Sequence, residues 1–196
     1  MSPDNSAGSD ADTVAAPVTR TGDVALLAAV AIGAAFALTL GVYGRVHEAQ
    51  FFAINVAGFS SPGSVKSWLA TVAVALAVFQ FISALLMYRV FPGGRAPSWI
   101  GVAHVWSGRL AVLASVPVAV HCMYALGFQD TDTRVLLHSL FGCFFYGAFV
   151  TKMILLTRKN QRPWVIPVLG GLVFFVLVDI WLTSSLWFFQ TNGLSF

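Results

Sequence analysis

The chain has 196 residues, of which 58% are hydrophobic and only 10% charged, with a mean hydropathy of +0.80. Soluble domains carry roughly 25% charged residues, so this composition belongs in a bilayer. The net charge of +3 comes from basic residues spread thinly beside apolar stretches, without interleaved aromatics, which argues against a nucleic-acid surface. There is no nucleotide-binding loop, no triad spacing and no carboxylate pair, so a hydrolytic or nucleotide-driven enzyme is not expected.

In chain order, residues 1–22 are rich in Ser, Asp, Ala and Thr, lack apolar periodicity and predict a disordered cytoplasmic tail. Residues 23–196 predict one all-α membrane domain of five transmembrane helices. The apolar stretches are Val24–Tyr43, Trp68–Tyr88, Trp99–Leu126, Val135–Leu156 and Val165–Phe189. Each reaches the ~20 residues that cross ~30 Å of hydrocarbon. The first is too long for a signal-peptide core and is expected to remain as an anchor.

The connection Gly44 to Lys66 contains Phe51-Phe52 and Ser61-Pro62-Gly63, which reads as a long outer loop with a turn. Pro92-Gly93-Gly94 and Pro97 mark a tight turn on the other side, and residues 158–163 form a basic link to the last helix. Arg20, Arg89, Arg95, Lys152, Arg158, Lys159 and Arg162 fall on one side, against Arg45, Lys66 and Arg134 on the other. The positive-inside rule therefore places the N-terminus in the cytoplasm and the C-terminus outside the cell membrane. Cys122 and Cys143 lie at different depths and are expected to pack as small hydrophobes rather than form a disulfide.

The third and fourth spans carry the chemistry. They are joined by the short polar turn from Gly127 to Thr133, with His121 shortly before it and His138 shortly after. At ~1.5 Å per residue, two antiparallel helices hold these imidazoles at similar depth. Ionisable groups within a span mark a functional site by default, and this hairpin reads as the wall of a redox cofactor site, with b-type haem expected. His47 lies at the same outer depth and is the rival partner of His121, while His104 stands alone in the inner half. Two bis-histidine haems need a pair at each depth, so one haem is expected, near the outer face.

The segments His104-Val-Trp-Ser-Gly108-Arg109 and His138-Ser-Leu-Phe-Gly142 resemble the haem helices of membrane cytochrome b families that include ferric-reductase-like and ascorbate-reducing proteins. The resemblance covers the third and fourth helices. It implies that such histidines ligate haem b and that Gly108 and Gly142 make room for it.

Arg45 and Arg134, at the outer boundary, are placed to bind haem propionates. Arg109 and Asp179 fall near mid-membrane at similar depths and predict an ion pair that pins the last helix to the third. The expected function is electron transfer between membrane quinol or a partner subunit and an outer redox protein, as part of an oxidoreductase complex. Two alternatives stand beside it: a copper or zinc site built from the three outer histidines, and a cofactor-free accessory or assembly subunit.

Overall fold

The computed structural model of the protein describes residues 20–51, 55–56, 58–90, 96–158 and 161–196. The helices are α1 (Arg20–Val46), α2 (Pro62–Met87), α3 (Ile100–His121), α4 (Thr133–Leu156), α5 (Val165–Trp181) and a short α6 (Trp187–Asn192). A π-helical turn, Cys122–Leu126, extends α3, and a second, Leu182–Leu186, joins α5 to α6. Among the described residues, five continuous segments are long and apolar enough to cross a membrane: Gly22–Val46, Pro62–Met87, Ile100–Leu126, Thr133–Leu156 and Val165–Asn192. The chain thus has the make-up of a multi-pass membrane protein. The predicted tail falls almost wholly on residues 1–19, and the Pro92-Gly93-Gly94 turn on 91–95, both outside the described residues.

One boundary differs from the sequence expectation. Ser61-Pro62-Gly63 is the start of α2, not a turn within a long loop. Ser61 is the N-cap, its hydroxyl accepting from the Ser64 amide at 3.1 Å, and Pro62 fits the first helical turn, where its missing N–H costs nothing. The largely polar run Gly63-Ser64-Val65-Lys66-Ser67 hides this turn from a hydropathy reading. Asp132 caps α4 in the same way, accepting from the Val135 amide at 2.9 Å.

The near end of the bundle holds the start of α1. The far end holds the starts of α2 and α4 and the chain's C-terminus. Neighbours around the bundle run α1, α4, α5, α2, α3. The α1–α4 seam is made of small residues: Ala29, Gly33 and Ala37 on one helix face Gly147 and Thr151 on the other. Small side chains let membrane helices approach closely. Thr151 Oγ1 completes this seam, 3.2 Å from the Ala29 carbonyl and 3.1 Å from that of Gly147. Buried Ala77, Phe145, Val176 and Leu177 form the mid-bundle core, with Phe81 stacked on Phe174.

At the far end the ring closes between α1 and the π turn after α3. The Phe128 amide donates to the Gly44 carbonyl at 2.7 Å. Gly127, at φ +71°, sits so close that a Cβ would stand 2.8 Å from that same oxygen. The C-terminal segment folds back onto α2: the Trp68 indole donates to the Ser195 carbonyl at 3.1 Å and stacks on Phe196. By contrast, α3 and α4 are not packed along their lengths although they are consecutive. Their separation opens a cavity.

Candidate functional site

Between α3 and α4, in the far half of the bundle, lies a cavity of about 780 Å³, within the size range of small-molecule and cofactor sites. The α3 wall is largely small and apolar, including Ser115, Ala119 and Cys122. The α4 wall carries His138, Gly142 and Tyr146. The Tyr146 hydroxyl, 3.1 Å from Ser115 Oγ, bridges the two helices at the deep end. Phe36 on α1 and Val116 and Val120 on α3 line the cavity yet remain 42%, 41% and 57% exposed. The chamber therefore opens sideways between α1 and α3.

Its polar groups gather toward the far end. Lys66 and Arg134 both line it, and among the described residues no carboxylate does. Arg134 Nη1 donates to the Thr183 carbonyl at 2.7 Å, its guanidinium lies 4.1 Å over the Trp187 ring, and Asp132 is 3.9 Å away at the surface. This ties down a long cation at the chamber's polar end.

His138 is oriented by α5. Its Nδ1 is 3.2 Å from Thr183 Oγ1, while that hydroxyl is 2.8 Å from the Asp179 carbonyl and 3.0 Å from the Ile180 carbonyl. A threonine has one proton, and carbonyls only accept. With that proton on the backbone, Thr183 can only accept from His138, so Nδ1 carries the imidazole hydrogen and Nε2 keeps a lone pair. Thr183 is not on the cavity wall and His138 is, so the imidazole stands between α5 and the chamber.

The other histidines do not join it. His121 is not on the cavity wall. Ala119 and Cys122 are, and His121 follows Ala119 by a rotation of about 200° around the helix. The expected His121–His138 ligand pair is therefore not assembled. His47 is stacked between the Tyr43 and Tyr124 rings, its Nε2 3.2 Å from the Tyr124 carbonyl, at the α1–α3 closure. Among the described residues, no group of three or more His, Cys, Asp or Glu is placed to hold a metal ion, so the three outer histidines do not form a copper or zinc site.

His104 belongs to an interhelical clamp instead. Its Nδ1 is 2.7 Å from Ser83 Oγ, while Gln80 Nε2 donates to the His104 carbonyl and to Ser107 Oγ. Gly108 makes room for that glutamine: a Cβ there would stand 2.9 Å from Gln80 Nε2. At Gly142, a Cβ would meet nothing within 4 Å. Of the two His-x-x-x-Gly segments, only His138–Gly142 faces the chamber. Gln80→Leu should loosen the α2–α3 seam by about 0.6–2 kcal/mol, the range for interhelical hydrogen bonds in membranes. A lowered thermal midpoint in detergent, with cofactor content per folded molecule unchanged, is the expected result.

Two other assignments change. Arg45 is paired with Asp130 at 3.1 Å, outside the chamber, so Lys66 and Arg134 are the cations available within it. Arg109 and Asp179 do not meet, because α2 stands between α3 and α5. The Arg109 guanidinium lies 5.2 Å over the Trp106 ring. Sequence reasoning treats Lys66 only as a topology charge and passes over Thr183. Lys66 is nonetheless detectable as a cation at the depth of Arg134.

A flat amphipathic molecule with an acidic edge suits this chamber in size, polarity and charge. For haem, the residues present fit ligation from one side by His138, with the acidic edge toward Lys66 and Arg134. They do not fit bis-histidine ligation. Comparison with curated proteins and with solved structures finds no match. Residues 25–196 match a family of unknown function, DUF6529, over nearly the whole described chain, and the protein belongs to that family.

Proposed function

We propose that the chain is a membrane electron-transfer protein whose chamber between α3 and α4 would hold one haem b, with His138 as the residue that would ligate it. The observation that carries this reading is the anchored imidazole of His138. Its Nδ1 is held by Thr183 and the residue lines a largely apolar chamber. Ligating histidines commonly donate their second ring nitrogen to an oxygen in this way. Gly142, one turn along, leaves open space beside that imidazole. Lys66 and Arg134 would take the propionates. When bound, haem supplies the one-electron chemistry, and the protein supplies ligation, orientation and charge.

The sideways opening between α1 and α3 supports a membrane quinol as electron donor, since it leads from the bilayer to the chamber. The far end, with the chamber's polar groups, would face an outer redox partner. On this reading the near end is cytoplasmic, in keeping with the basic residues Arg158 and Arg162 there and the Arg162–Asp23 pair that ties α1 to the α4–α5 link. A reporter fused after Phe196 should be active only outside the cytoplasm, and activity confined to the cytoplasm would invert the orientation. The optical spectrum of protein purified from haem-replete cells tests the cofactor. A Soret band that shifts on reduction is expected, and a colourless protein would overturn the reading.

A further inference from the structure

Arg109 and Asp179 are each left without an ionic partner inside the chain: among the described residues, neither belongs to any of the three ion pairs. Both lie on outward-facing stripes. On α3, Val102, Trp106 and Leu113 are exposed at helical spacing, short of the chamber's opening, and Arg109 falls on the same stripe. On α5, Val168, Leu172, Phe175 and Leu182 are exposed at the same spacing, and Asp179, half-buried, takes the position between Phe175 and Leu182. Each apolar stripe thus carries one charge within its span, and the two charges are opposite. A lone charge facing hydrocarbon is costly and normally pairs.

Their depths can be read from α2, which touches both helices. Gln80 bonds Ser107 of α3, and Thr71 accepts from the Trp181 indole of α5. Thr71 and Gln80 are about 14 Å apart along α2. Arg109 lies two residues, about 3 Å, past Ser107 toward the far end, and Asp179 two residues before Trp181 toward the near end. The two charges are therefore offset in depth by only about 8 Å, a distance an arginine side chain can largely bridge.

We propose that the protein self-associates in the membrane, with the α3 stripe of one copy against the α5 stripe of the next and Arg109 paired with Asp179 across the contact. Copies in one bilayer share the same depth, so the offset carries over from one chain to two. The contact uses two different surfaces and is therefore heterologous, a geometry that gives a ring where the rotation between copies closes and an open array where it does not. It buries both stripes and removes both unpaired charges from hydrocarbon.

The test is charge exchange, read by native mass spectrometry from lipid nanodiscs. The wild-type chain should be multimeric. R109D alone and D179R alone should each lose multimers at least tenfold. The two variants expressed together should regain them, because each charge then finds its opposite on the other copy. A monomeric wild type, or multimers unaffected by either single exchange, would overturn the proposal. Should the charge variants fail to fold, copies carrying Leu113→Cys and copies carrying Phe175→Cys, which keep both charges, test the same contact. These should cross-link to each other in membranes, and absence of that cross-link would equally overturn it.

Discussion

Gly147→Val should detach α1 from the bundle. A Cβ at Gly147 would stand 2.5 Å from the Gly33 carbonyl oxygen and 2.8 Å from the Ala37 Cβ. The first is backbone and the second has no rotamer to change, so only a shift of α1 relieves the clash. Overpacking typically costs about 1–3 kcal/mol, and this one displaces a helix whose contact along its length is with α4. We expect the upper end, about 3 kcal/mol, or roughly 6–12 °C in thermal midpoint for a chain of this size. Gly142→Val, five positions earlier on α4, is the control. Its Cβ meets nothing within 4 Å, so the midpoint should stay near that of the wild type while the larger side chain takes up chamber space and haem content falls. Equal destabilisation by both variants would contradict the assignment of Gly147 to the seam and Gly142 to the chamber.

The contrast between those two glycines shows what is legible in the sequence. The five spans are readable because hydropathy alone decides which stretches can lie in hydrocarbon. Depth is readable too, because helical rise is constant: His138 and Arg134 do sit at the polar end of the chamber. Rotation about each helix axis is not, because it depends on which helices become neighbours. His121 and His138 share a depth, but His121 turns away from the chamber. Arg109 and Asp179 have similar depths, but α2 intervenes.

The same limit explains Gly108 and Gly142. Both follow a histidine by four residues, but one receives Gln80 and the other faces open space. Lys66 is easily passed over because a lysine near the end of a span reads first as a topology signal. Thr183 is missed because a hydroxyl in an apolar run carries no mark of its partner until α5 is placed beside α4.

His138 alone, and not a pair of histidines, is proposed to hold the cofactor. Ligation from one side is supported by the engagement of the other rings: His138 Nδ1 is on Thr183, and the rings of His47 and His104 are bonded elsewhere. His138→Ala should abolish the haem spectrum while leaving the apoprotein's stability within about 0.6–2 kcal/mol of the wild type, the cost of one lost interhelical hydrogen bond. His47→Ala, His104→Ala and His121→Ala should each retain the spectrum. The most direct measurement is therefore the reduced-minus-oxidised spectrum of the His138→Ala and His121→Ala proteins, purified side by side with haem content determined per chain. No bands are expected for the first and wild-type bands for the second. Intact bands in His138→Ala, or their loss in His121→Ala, would contradict single-histidine ligation by His138.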